Sequence, residues 1–402
     1  SNGGRERPAP GAAADPPPSI LAEPERRRNR RMPRPEPLGG LPENGQSQKE
    51  PSTDSGRRGC SMTEKQLREA LRNCLPDSLP EAQQRAVLSR IQERKQPMKQ
   101  IFNPYLPSYE YIPDGEPHIF NNRLYIYGSH DRFGGSDYCE NDYVCWSAPV
   151  DDLSDWHFEG EIYNRKQHPY REERMLLFAP DVVKGADGRF YLYYSMAHSS
   201  RMSVAVCNTP AGHYEYYGDV KTSDGRIYGI DKGDMLQFDP GVFADDDGNV
   251  YLYSGFCPNK TEDEHGRIMA GAHVCRLSDD MITMKDLPHV IFPRDFKCPE
   301  EAGFFEASSM RKFGRKYYFI YSARANGLHY CISDYPDRDF VYGGRLHASS
   351  DVGLRGYTPS DTAYPNGNTH GSIIQLNESF YIFDHRFTNA CSYCRQGVAE
   401  KI

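Results

Sequence analysis

Five times along this chain an apolar strand, a turn and an aromatic return strand follow one another. Each time a polar residue stands at the head of the first strand. The copies begin at Glu116-Pro117-His118-Ile119-Phe120, Asp181-Val182-Val183, Asp239-Pro240-Gly241-Val242-Phe243, Glu306-Ala307-Ser308-Ser309-Met310 and His370-Gly371-Ser372-Ile373-Ile374. Their turns are Asn121-Asn122, Ala186-Asp187-Gly188, Asp245-Asp246-Asp247-Gly248-Asn249, Phe313-Gly314-Arg315 and Asn377-Glu378, residue types that close β-hairpins. The head residues are spaced by 65, 58, 67 and 64 positions. Further strand candidates lie between the hairpins, such as Tyr143–Ser147, Met202–Val206, Ala272–Leu277 and Leu328–Ile332. A period therefore holds four strands, the content of one propeller blade, and the pattern predicts an all-β, five-bladed β-propeller. A β-sandwich also alternates apolar and polar residues, but nothing in it restarts on a polar residue at each repeat.

The propeller accounts for residues 101–402. Residues 1–61 contain eleven prolines, an arginine run (Arg26-Arg27-Arg28-Asn29-Arg30-Arg31) and no aromatic residue, so a disordered Pro/Arg-rich tail is expected. Residues 62–100 carry Leu67, Leu71 and Leu75 at spacing four. After Pro76 and Pro80 come Ala82, Ala86, Val87 and Ile91, which predicts a short helical hairpin segment. The first aromatic residue of the chain is Phe102, which sets the domain boundary near 100.

Net charge is −8, and the folded part shows no basic bias, which argues against a nucleic-acid partner. No apolar run reaches the length of a membrane-spanning helix. Eleven cysteines are an odd number for a disulfide framework, and no apolar leader follows the first residues. A reducing, cytoplasmic compartment is the expectation. Cys391-Ser392-Tyr393-Cys394 has metal-ligand spacing, but no second pair completes a zinc site.

In a propeller the first strand of each blade lines the central axis. Glu116, Asp181, Asp239, Glu306 and His370 thus converge on one end of the channel. A single such acid is commonly a turn cap. Four without matching cations are electrostatically costly, which marks them as functional. Paired carboxylates without a metal motif point to hydrolysis of a glycosidic bond: one protonates the leaving oxygen, another activates water, and a third keeps the acid's pKa high.

Residues 103–402 resemble glycoside hydrolase family 43, the five-bladed β-xylosidases, α-L-arabinofuranosidases and arabinanases. The resemblance rests on Asn103-Pro104-Tyr105-Leu106, Glu116-Pro117-His118-Ile119, Phe178-Ala179-Pro180-Asp181, Phe238-Asp239-Pro240, Phe305-Glu306-Ala307, Thr369-His370-Gly371-Ser372-Ile373 and Asp384-His385-Arg386, in that order. It implies an inverting hydrolase of xylose- or arabinose-containing oligosaccharides, with Glu306 as general acid and Asp239 as pKa tuner. The family places its base Asp directly before the proline, where this chain has Glu116, while Asp114 stands two residues earlier. Residues two apart on a strand face the same way, so both remain candidates and are expected side by side. The resemblance further implies substrate contacts from Phe178, Asp181, Phe238, Phe305 and Arg386, and no required cofactor. It marks His370 as the channel histidine that in some members ligates calcium. The alternative is a catalytically silent carbohydrate-binding propeller. A fructan hydrolase or glycan phosphorylase is disfavoured by Phe-Asp-Pro and Phe-Glu-Ala in place of the fructan motifs, and by the lack of a basic phosphate pocket.

Overall fold

The computed structural model describes residues 103–402 except 172–173, 325–326, 349, 351–355, 359, 362–366 and 390. They fall within one compact unit, residues 89–402. The tail expected over 1–61 and the helical hairpin expected over 62–100 lie outside the described residues.

Five antiparallel sheets follow in chain order. The first is β1 (Glu116–Phe120), β2 (Arg123–Tyr127), β3 (Tyr143–Pro149) and β4 (His157–Tyr163). The second is β5 (Asp181–Lys184), β6 (Phe190–Tyr194), β7 (Ser203–Cys207) and β8 (Glu215–Asp219). The third is β9 (Gly241–Ala244), β10 (Val250–Ser254), β11 (Gly271–Leu277) and β12 (His289–Pro293). The fourth is β13 (Phe304–Phe313), β14 (Lys316–Ala323), β15 (Leu328–Ser333) and β16 (Val341–His347), and the fifth is β17 (Ser372–Leu376), β18 (Ser379–Thr388) and β19 (Cys391–Lys401). The innermost strands touch in ring order, β1 to β5 to β9 to β13 to β17 and back to β1. The predicted five-bladed β-propeller is what the chain forms.

Local chemistry sets each hairpin. Asn121 and Asn122, with φ of 50° and 61°, supply the two left-handed residues that a tight β1–β2 turn requires. Gly188, Gly248 and Asn377 take the same region in their turns. The second strands are buried on both faces: every residue of Phe190–Tyr194 and Val250–Ser254 is buried. The reason is that each sheet is packed between two others. Five apolar clusters result, one per seam, and the last couples Ile374, Leu376 and Phe383 of the fifth blade to Leu124, Ile126, Val144 and Trp146 of the first. Each such side chain contributes about 1.5–3 kcal/mol through burial.

The tyrosine load belongs to these seams. Tyr127, Tyr193 and Tyr253 occupy the second strands of blades one, two and three, and each hydroxyl donates into the next blade. The acceptors are the carbonyls of Pro210 at 2.7 Å, Met281 at 2.6 Å and Pro336 at 2.7 Å. A buried phenol thus fills apolar space and satisfies its one polar atom with a neighbour's loop.

The three-stranded fifth blade is finished by a side chain. Asn103 Nδ2 donates to the Ala399 carbonyl at 2.9 Å, and its Oδ1 accepts the Ala399 N–H at 2.8 Å. A carboxamide carries the donor and acceptor of a peptide group, so Asn103 pairs with the β19 edge as one residue of a neighbouring strand would; among the described residues this sheet has three strands. Two hydrogen bonds of this kind are worth about 1–2 kcal/mol net. Asn103→Ala is expected to lower the unfolding free energy by that amount in urea titrations, and Asn103→Asp, which keeps only the acceptor, by more than half of it.

Candidate active site

Three acids lie close enough to one another to interact: Asp114 just before β1, Asp239 just before β9 and Glu306 in β13. All are nearly buried, at 5%, 4% and 9% exposure. The backbone that aims them is unusual. Asp114 has φ 58°, Asp239 φ 45° and Ala307, directly after Glu306, φ 66°. Non-glycine residues in the left-handed region cost of order 1 kcal/mol each and persist only where surroundings enforce them. At Glu306 the β13–β14 register also shifts on both sides of the residue. Such bulges re-aim a side chain.

Asp114 is held by cations and donors. Arg395 Nη1 on β19 donates to both of its oxygens, at 2.9 and 3.2 Å. The same fully buried guanidinium makes a bidentate pair with Asp131, Nε and Nη2 each at 2.9 Å. Asp131 in turn accepts the N–H groups of Cys139 and Arg395. The Asp114 amide donates to His385 Nδ1 at 3.1 Å, which leaves His385 Nε2 to donate to Asn368. Burial, and then the Arg395 charge, push the pKa of His385 down, so it stays the neutral acceptor this geometry needs. Tyr138 covers the other side of Arg395, its ring centre 4.8 Å from the guanidinium carbon.

These surroundings split the acids by proton affinity. Burial alone would raise Asp114, but Arg395 first, with His370, outweighs it and holds the carboxyl below the ordinary range. Burial and the charge of Asp114 push Asp239 up to about 7, against the pull of His370 and Arg395. Burial and the neighbouring Asp239 drive Glu306 well above the usual carboxylate value. The Ala307 amide donates to Asp239 and couples the two acids structurally. The result is one carboxylate that ionises readily beside a pair that holds on to a proton. That division is what acid–base chemistry on a single bond requires.

A wall of aromatic rings flanks the acids. Phe178 meets Phe238 at 5.6 Å, Phe238 meets Phe256 at 5.3 Å and Phe256 meets Phe305 at 5.2 Å between ring centres. All four rings are half-buried.

A scan against family sequence profiles matches glycosyl hydrolases family 43 over residues 114–402. The chain belongs to that family. A xylosidase/arabinosidase of Thermoclostridium stercorarium is 49% identical over 314 residues, which are 76% of this chain but 64% of that protein. The chain therefore spans less than two thirds of that relative's length. Xylosidase/arabinosidase 43A of Humicola insolens is 30% identical over 316 residues, 68% of this chain and 88% of the relative. Among solved structures, an α-L-arabinofuranosidase of Clostridium thermocellum superposes with a TM-score of 0.52 at 27% identity, covering 74% of this chain and 92% of that one. A β-xylosidase/α-arabinofuranosidase from a compost metagenome, solved with xylotriose in a calcium-free form, shares the fold at TM-score 0.57 and 24% identity, covering 73% of this chain and 92% of that one.

Within this family 43 propeller, Asp239 and Glu306 come together with Asp114, one of the two base candidates. Asp114 and Glu116 do not sit side by side. Asp114 lies before the strand in a left-handed turn, so strand alternation does not relate the two. Glu116 is fully buried one layer down the axis, paired with Arg311 Nη2 at 2.5 Å. Asp181, expected at the sugar, is also fully buried. Its oxygens accept the amides of Val182 and Val242 and pair with His118 at 2.6 Å, so it pins blade two to blade three. Arg386 lies half-buried on β18 opposite Gln396; the arginine on Asp114 is Arg395. Phe178, Phe238 and Phe305 are in the wall as expected. Phe256, two residues past the end of β10, joins them and was not among the residues singled out from the sequence.

His370 lies between layers, its Nδ1 3.6 Å from Asp239 and its Nε2 3.7 Å from Glu116. The calcium implied at this histidine fits the donor set poorly. Calcium takes about six to eight oxygen ligands. Here Glu116 is already ion-paired, and Asp181 is committed to two amides and His118.

Burial would raise the Glu116 carboxyl, but Arg311, His370 and His118 bring it down to about 2 from 4.5. Its stabilising contribution is therefore complete above pH 4.5 and fades as pH falls toward 2. Unfolding free energies measured across that window should fall less steeply for Glu116→Gln than for the wild type, by roughly 3 kcal/mol at most.

Proposed function

We propose that this propeller hydrolyses glycosidic bonds in xylose- or arabinose-containing oligosaccharides by a single displacement. Glu306 is the general acid, Asp114 the general base and Asp239 the group that keeps Glu306 protonated. The observation that carries this reading is the opposed proton affinity of Asp114 and the Asp239–Glu306 pair in one nearly closed site. The sugar class is supported by the names of the relatives from Thermoclostridium stercorarium and Humicola insolens.

In this mechanism Asp114, ionised and fixed by Arg395, accepts a proton from water as that water attacks the anomeric carbon. Glu306 gives its proton to the departing oxygen on the opposite side. Asp239 holds negative charge or a shared proton next to Glu306, so the acid does not ionise before substrate arrives. After turnover Asp114 carries the proton and Glu306 is ionised, and exchange with solvent restores both. The phenylalanine wall offers apolar ring faces to the sugar, where water is excluded and charge interactions strengthen.

Glu306→Gln is expected to lower kcat/KM on unactivated xylosides or arabinofuranosides by about 10²–10⁴-fold. The loss should be much smaller on aryl glycosides whose leaving group needs no proton. Equal inertness of wild type and variant across an aryl-glycoside panel would favour a binding propeller instead. Proton NMR of the first turnover should show the inverted anomer; retention would overturn the role given to Asp114.

The pH profile follows from the same assignment. Rate is lost on the acid side only below the ordinary Asp range, as Asp114 takes up a proton. On the alkaline side it is lost at or above about 7, as the Asp239–Glu306 pair gives one up. Asp239→Asn removes the charge that raises Glu306, so the alkaline limb of kcat/KM should move to lower pH while the acid limb stays within a few tenths of a unit.

A further inference from the structure

Below the acids the channel axis carries a second set of charges that the reaction does not use. Glu116 of β1 is fully buried, and one of its oxygens accepts Arg311 Nη2 at 2.5 Å with the Ser309 hydroxyl at 3.0 Å. Arg311, on β13, also donates to the carbonyls of Pro117 at 3.2 Å and Met310 at 2.8 Å. The Ser309 hydroxyl lies 2.8 Å from that of Ser372 on β17. The other Glu116 oxygen faces His370 Nε2 at 3.7 Å. Beside them stand His118 and Asp181, and the ligand atoms of Glu116, His118 and Asp181 all lie within 4.8 Å of one another. Blades one, two, four and five thus meet at a single buried carboxylate.

That trio is the one group of potential metal ligands found among the described residues. Its chemistry is against a bound cation. Asp181 has given its oxygens to two amides and His118, which leaves Glu116 Oε1 as the one carboxylate oxygen without a hydrogen bond. A divalent ion on that oxygen would lie a few ångströms from the guanidinium, in a buried place where repulsion between cations is poorly screened.

We propose that Arg311 is a built-in axial cation: its guanidinium does at Glu116 what a divalent ion would do, and the channel is complete without bound metal. The side chain is covalently placed, it reaches across from blade four to blade one, and two more of its N–H groups donate to main-chain carbonyls at the same level. It balances Glu116 and ties together the first strands of two blades. The inference concerns the axis alone and holds whether or not Glu306 and Asp114 act as assigned above.

The test uses the full chain and reads metal and melting, not only turnover. Elemental analysis of the desalted wild type should find less than stoichiometric calcium, and its Tm should be the same in millimolar calcium and in chelator. Arg311→Met keeps most of the stem packing and removes the charge, leaving Glu116 unpaired beside His118 and Asp181. Its Tm is expected to fall by several degrees in chelator and to recover in part when calcium is added. The double variant Arg311→Met/Glu116→Gln removes both members of the pair and should be indifferent to calcium. Stoichiometric calcium in the wild type, or a drop in its Tm on chelation, would overturn the proposal whether or not the variants fold. A folded Arg311→Met protein whose Tm ignores calcium would overturn the equivalence of guanidinium and metal.

Discussion

The guanidinium of Arg395 lies between Asp114 and Asp131, fully buried, and both ends of the propeller depend on it. Asp114 and Asp131 flank the first hairpin, while Arg395 stands on the last strand, 281 and 264 residues away. Leaving either carboxylate in that interior without its partner would cost about 3–5 kcal/mol, more than most single contacts in a domain supply. The pair therefore fastens the last blade to the first at the depth where chemistry happens. Asn103 does the same at the rim of β19, and the apolar seam between blades five and one does so along its length. Ring closure and placement of the base are one structural event.

The same cation explains how three acids share a small space. Like charges in a buried pocket drive one another toward the protonated form, and without Arg395 all three would move in that direction. Because the guanidinium is bonded to Asp114 and only near the other two, it lowers one member and leaves the rest raised. His385, a neutral ring that accepts the Asp114 amide, fixes the backbone that carries this carboxyl. His370, set between Asp239 and Glu116, connects the reacting layer to the structural layer beneath it.

Much of this was legible in the chain. Five restarts of the hairpin pattern, each with a polar head, gave the architecture and the set of axis residues, because a repeat converts sequence position into spatial position. Glu306 and Asp239 could be placed in that way. The readings that fell short depend on facts a repeat does not encode. Asp114 and Glu116 were related by strand alternation, but a left-handed residue before β1 breaks the alternation, a turn that Pro113-Asp114-Gly115 itself signals. Asp181 has the right register for the channel yet points its oxygens at backbone amides, a choice made by the spacing of β5 and β9. Arg395 and Asp131 meet only because the ring closes, and no local pattern in either segment signals the other. Arg311 occupies a first strand two positions past Ser309, where the pattern offers only a polar slot.

The three left-handed residues carry a consequence for anyone altering this protein. Asp114, Asp239 and Ala307 are held in backbone shapes that glycine would adopt without steric penalty, so glycine at Ala307 would relieve strain while giving up a buried methyl and some chain entropy. Relaxing that bend also frees the chain segment that orients Glu306. Turnover would then change through backbone geometry alone, at a position whose side chain carries no reacting group.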